Sequence, residues 1–200
     1  MASVFANLVK NTAASALPTK TAEAQRWVNN TATRTMGNAS AVIKSAPASS
    51  KIGSPQQPLI GSMVLFQYQA TTAKDLPYWD KFPLVFPFDI TSDGMYGINM
   101  HYLPIPLRAK LMDALMHIAD GPMTDAKTKL QLSYQVLQSV SRNNYFAPCI
   151  KRYLNKGLAS KLVVVPATEW SVALFLPLER FQKASSREVY EDSRRKIKGR

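Results

Sequence analysis

Two hundred residues with one cysteine, two histidines and a formal charge of +12 exclude several classes at once. Cys149 alone makes no internal disulfide and no cysteine-rich zinc site, and a zinc site or histidine triad would rest on His101 or His117, where no nearby residue supports it. The chain is long enough to bury a core without cross-links, and its excess of bases attracts polyanions: nucleic acid, anionic membrane or acidic partners.

Residues 1–58 are rich in Ala, Ser, Thr and Asn, and their charges are Lys10, Lys20, Arg26, Arg34, Lys44 and Lys51 against Glu23 alone. "SVFANLVKNTAASAL" and "TKTAEAQRWVNN" are each compatible with a helix, and "SAPASSKIGSPQQP" reads as a linker. Such a zone cannot build a core by itself, so it is expected to be an extended arm, partly helical or disordered, or ordered by a partner. Its few acids and scattered bases have the flavour of a transit peptide, which leaves mitochondrial import as a minor alternative; no secretory signal is expected. No apolar run approaches the ~20 residues that span a bilayer, so no membrane partner is expected.

Residues 59–178 carry the pattern of a folded core. "SMVLFQYQA" alternates, with Val64, Phe66 and Tyr68 on one side and Gln67 and Gln69 on the other, which predicts a strand. "LVFPFDI" predicts a second, with Pro87 at an edge or bulge. Asp93-Gly94 is a turn signal, and "INMHYL" returns as a third strand, closing a hairpin. A helix follows from Pro106, with Leu107, Leu111, Leu115 and Ile118 on one face and Gly121-Pro122 at its end. A second is capped by Thr124 and turns Leu130, Tyr134, Leu137 and Val140 inward. "APCIKRYLNKG" predicts a short third helix, bounded by Pro148 and Gly157. "SKLVVVP" reads as a buried strand, and "PATEWSVALF" as either a helical turn or a strand.

Residues 179–200 form a third zone. Ser185 and Glu188 make the S-x-x-E signature of a helix start. Its acids, Glu179, Glu188, Glu191 and Asp192, come early. Its bases, Arg180, Lys183, Arg187, Arg194, Arg195, Lys196, Lys198 and Arg200, crowd the end. A helix dipole favours that order but does not require five bases in the last seven residues.

Enzyme chemistry finds little footing. The chain has no phosphate-cradling glycine loop, no nucleophile elbow and no H-E-x-x-H. Asp75, Asp80, Asp89 and Asp93 are close in sequence, and such carboxylates bind magnesium in nucleases, yet each sits beside a turn, where aspartate has an ordinary backbone-bonding role. Cys149 is expected to be packed rather than nucleophilic. The aromatic stretch "LPYWDKFPLVFPFDI" is a candidate base-stacking platform, but only Lys74 and Lys81 interleave with its rings, so Phe82, Phe86 and Phe88 are expected in the core.

At "LPYWDKFPLVFPFDI", "DGMYGINMHYLPIPLRAKLMDAL" and "EWSVALFLPLERFQKASSREVYEDSRRKIKGR" the chain resembles the DNA end protector family of T-even-like contractile-tailed bacteriophages. The likeness covers residues 60–200, and more loosely "LPTKTAEAQRW". It implies a non-enzymatic virion protein, also found in host cytoplasm during assembly and after injection. Such a protein binds the ends of packaged linear DNA, shields them from host exonuclease and helps complete the head. It implies no catalytic residue, no cofactor and no metal.

The expectation is therefore an α+β fold: a small, mostly antiparallel sheet packed by two or three helices, with an extended N-terminal arm and a basic C-terminal helix. Double-stranded DNA ends are the expected partner. Arg180, Lys183, Arg187, Arg194, Arg195, Lys196, Lys198 and Arg200 are the candidate nucleic-acid-binding residues. Phage head, neck or tail proteins are the partners expected for the arm. The rival is a structural tail, neck or baseplate component whose basic face binds acidic proteins.

Overall fold

The structure is a computed structural model that describes residues 59–109, 112–113, 137–139, 142 and 144–199. The arm over 1–58, most of the two helices expected over 106–140, and Arg200 lie outside the described residues.

The fold is α+β. Five strands form one sheet: β1 (Met63–Leu65), β3 (Leu84–Thr91), β4 (Gly94–Asn99), β5 (Ile150–Leu154) and β6 (Val163–Val165). Their order is β5-β4-β3-β1-β6, and every pairing is antiparallel. A separate two-stranded ribbon joins β2 (Trp79–Asp80) to β7 (Phe181–Gln182). Two α-helices are described in full, α1 (Trp170–Phe175) and α2 (Ser186–Lys198).

Both faces of the sheet are buried. Met63, Leu65, Leu84, Phe86, Phe88 and Ile98 face one side, where Trp170 of α1 and Val189 of α2 cover them. Val64, Phe66, Val85, Ile90, Met95 and Tyr153 face the other. Alternation should place Phe88 and Ile90 on the same face. They lie on opposite faces because the β3–β4 register shifts between Pro87 and Asp89. This bulge holds the proline, beyond the two β3 residues that β1 reaches, Leu84 and Val85.

The hairpin forms, but its loop lies one residue earlier than the Asp93-Gly94 signal predicts, with Thr91 opposite Gly94 across Ser92 and Asp93. Gly94 is required by close approach rather than by an unusual torsion: a Cβ there would lie 2.0 Å from the Tyr153 carbonyl oxygen on β5. The third strand is as long as expected but lies earlier, over Gly94–Asn99 instead of 98–103. It stops at Asn99, whose side chain accepts from the His101 amide at 2.9 Å and caps a 3-10 turn over Met100–Tyr102. Leu137 is fully buried, as its place on the expected second helix requires, and residues 105–109 are helical from just before Pro106.

Two expectations are corrected and one open reading is decided. "APCIKRYLNKG" is not one helix: a 3-10 segment over Asn144–Cys149 ends at strand β5, and a further 3-10 turn spans Asn155–Gly157. The β4 edge takes Ile150–Leu154 into its ladder, and that non-local pairing overrides the local helix boundaries. Phe82 is half-buried and outside the core, while Phe86 and Phe88 are within it. "PATEWSVALF", open between helix and strand, is helical from Ala167 to Phe175. There the Trp170 ring meets Phe86 edge-on at 5.2 Å and its indole N–H donates to the Val165 carbonyl at 3.0 Å. Burying such a ring is worth ~2–3 kcal/mol.

Candidate nucleic-acid interface

The C-terminal helix is built by local chemistry and then locked to the core. The Ser185 Oγ accepts from the Glu188 amide at 3.3 Å, and a Glu188 carboxylate oxygen accepts from the Ser185 amide at 2.7 Å, completing a reciprocal capping box. The bonds from the Ser185 amide and hydroxyl hold the Glu188 carboxyl below its ordinary range. Val189 is fully buried, and Ser193 nearly so, on the inner face of α2. The Tyr190 hydroxyl accepts from the buried Arg108 guanidinium at 2.7 Å and donates to Glu179 at 3.3 Å. The Tyr78 hydroxyl donates to Asp192. The helix is thereby pinned from Ser185 to Ser193, and the outer face is presented rigidly.

That face carries the cations. Arg187, Arg194, Arg195, Lys196 and Lys198 are all exposed. Arg187 pairs with Glu191 at 3.0 Å, while Lys196 and Arg195 reach Asp192 at 2.7 and 3.8 Å. Bonds from Lys196 and Tyr78 hold the Asp192 carboxyl low, so it stays charged and offsets part of the positive field. Arg194 and Lys198 have no acidic partner among the described residues. The uncompensated charge is therefore in the last turns of α2, where the helix dipole also favours it.

Arg180 and Lys183 are placed differently. The Arg180 guanidinium donates to the carbonyls of Pro177 and Glu179 at 2.9 and 2.8 Å, and its amide donates to Asp80 at 3.1 Å. Lys183 adopts a left-handed backbone, φ 66°, uncommon without a glycine. Its ammonium donates to the carbonyls of Ala73 at 2.5 Å and Leu76 at 3.0 Å. Both cations tie backbone together, whereas the α2 cations face outward.

The four aspartates do not converge. Asp75 and Asp89 are exposed, and Asp93 accepts from Thr91 at 2.8 Å and from Arg152 at 2.5 Å. Among the described residues no group of three or more His, Cys, Asp or Glu is placed to hold a metal. Asp80 is buried against His101 at 2.6 Å, with Asn99 at 3.3 Å and the amides of Phe82 and Arg180 at 3.1 Å. Burial pushes the Asp80 carboxyl up, but His101 and the two amides outweigh it and leave it below its ordinary value. The pair bridges residues twenty-one apart, and no local spacing announced it. Cys149 is fully buried, and burial pushes its thiol up to about 12, as expected of a packed cysteine.

A family model described as phage T4 terminal DNA protecting protein matches residues 5–196. The chain belongs to this family. The match takes in the N-terminal zone from residue 5 and every base of α2 but Lys198, a wider span than the resemblance carried by the core motifs. No curated protein and no solved structure matches the chain. Among the described residues no helix is long and apolar enough to cross a membrane.

One basic element of this family member was missed. Lys151 and Arg152 lie on β5, and the Lys151 ammonium stands 4.1 Å from the centre of the Tyr102 ring. Reading 147–157 as a helix concealed them. The strand's alternation, with Tyr153 buried and Arg152 exposed, is the signal available in the sequence.

Proposed function

We propose that this protein binds the ends of linear double-stranded DNA in the phage particle, shields them from host exonuclease and takes part in completing the head. The observation that supports this most is the helix that ends in Arg194, Arg195, Lys196 and Lys198, fixed to the core by Val189, Tyr190 and Asp192 and basic on its outer face. A rigid array of cations contacts phosphates without reading sequence, as protection of any end requires. Arg187 extends the array, and Arg200, outside the described residues, is proposed with it as a phosphate contact. Arg180 and Lys183 support it from the ribbon side. The N-terminal zone, basic and poor in core residues, is the part proposed to bind head, neck or tail proteins.

The test is protection. Linear duplex mixed with the protein is exposed to a processive exonuclease, and survival is measured against protein concentration. Full-length DNA should persist with the intact protein and be degraded with an Arg194→Ala/Lys198→Ala variant that folds normally. Degradation at the same rate with the intact protein and without it would refute the reading.

A further inference from the structure

Beside α2 lies a cavity of about 410 Å³, within the ~300–1,000 Å³ of sites that enclose a small ligand. It is walled by Tyr78 and Trp79, by Tyr102, and by Ile150 through Leu154 of β5, with Tyr68 alongside. Tyr78 and Trp79 are half-buried, whereas Tyr102 is buried, with the Lys151 ammonium over its ring. The Trp79 indole N–H is shielded from solvent and has no acceptor among the described residues. Lys151 is half-buried on the wall. Lys196 of α2 stands 5.9 Å from the centre of the Tyr78 ring, so the cavity lies beside the basic helix.

We propose that this cavity takes the unstacked terminal nucleotide of a DNA duplex, its base against the Tyr78 and Trp79 rings and its phosphate at Lys151 and Lys196. This rests on the reading of the protein as an end binder and supplies a reason for its preference. A terminal base has one stacking neighbour instead of two, so it leaves the helix at lower cost than an interior base. Aromatic faces accept any base, which suits ends of arbitrary sequence. Burial holds Lys151 down to about 8, and an incoming phosphate favours its charged form. The far wall is held in place by Lys183, whose ammonium clamps the carbonyls of Ala73 and Leu76 beside the lining residues Thr72 and Leu76.

The experiment is photocrosslinking with the full chain. Duplexes carry 5-iodouracil either at the terminal position or well inside, and adducts are mapped by mass spectrometry. In parallel, binding to linear and covalently closed DNA is compared for the intact protein, Lys151→Met and Lys151→Arg. The proposal expects adducts on Tyr78 or Trp79 from the terminal position alone. It expects about ten-fold weaker binding of linear DNA by Lys151→Met, unchanged binding of closed DNA, and recovery in Lys151→Arg. If Lys151→Met does not fold, the adduct map of the intact protein decides. Terminal adducts confined to α2, with linear DNA still preferred, overturn the cavity assignment and leave end binding standing. No preference for linear DNA overturns both. Normal end binding by Lys151→Met with failed particle assembly overturns the proposal in favour of a socket for a protein side chain.

Discussion

Arg180 and Lys183 precede Ser185, and Arg187 to Lys198 follow it; the two groups carry the same kind of charge and use it differently. The first two spend their donors on carbonyls of Pro177, Glu179, Ala73 and Leu76. The second group stands on the outside of a capped helix, with Arg194 and Lys198 uncommitted to any acid among the described residues. A count of basic residues measures neither. What matters for a polyanion is how many cations remain available after the fold has used its share, and how rigidly they are held.

The support side is broken most severely through Asp80. Asp80→Ala removes the acceptor shared by His101, Asn99 and the Phe82 and Arg180 amides, and leaves buried polar groups unpaired. We expect a loss of ~3–5 kcal/mol in urea unfolding. The same group sets a pH dependence. Its folded carboxyl titrates below the unfolded value near ~3.9. Its contribution is therefore complete above that value and is lost as pH falls through the folded one. Asp80→Asn should flatten the acid side of the stability profile, measured by unfolding midpoints across pH.

Gly94→Ala strikes the sheet without touching either group of cations. Its Cβ would meet the Tyr153 carbonyl and push β5 from β4. A cost of ~1–3 kcal/mol is expected by thermal or urea unfolding, with the salt slope of DNA binding unchanged wherever the variant is folded. Ser185→Ala removes the helix cap that divides the two groups and should cost ~1 kcal/mol by the same measurement.

The smallest effect on stability sharpens the comparison most. Arg194→Ala/Lys198→Ala should stay within ~0.5 kcal/mol of the intact protein in unfolding. Yet it should lower the slope of log affinity against log salt by about 2. Lys183→Ala should do the reverse, unfolding more readily while keeping the slope. Equal slopes for all three proteins would mean that none of Lys183, Arg194 and Lys198 contacts phosphate.

What the sequence disclosed follows the range of the forces involved. The Ser185–Glu188 cap, the Asp93-Gly94 hairpin and the Val163–Val165 strand are local, and their signals are complete within a few residues. Strand β5 was hidden because Pro148 and Gly157 imitate helix boundaries, and only the β4 edge decides its conformation. The ribbon of β2 with β7 joins residues about a hundred apart, and the Asp80–His101 contact depends on that ribbon and on the turn after β4. The cavity is invisible for the same reason: its rings come from four separated stretches, and Tyr102 becomes a wall only because the chain turns at Asn99. The basic end of α2 was legible as charge, but which of its cations are uncommitted depended on where the acids fell.

The most direct measurement is competition at near-physiological salt between a linear duplex and a covalently closed circle of the same sequence. The account predicts that the linear form displaces the circle strongly and that the advantage grows with the number of ends per unit length of DNA. Equal competition by the two forms would contradict it, leaving a basic helix that binds DNA anywhere and protects no end.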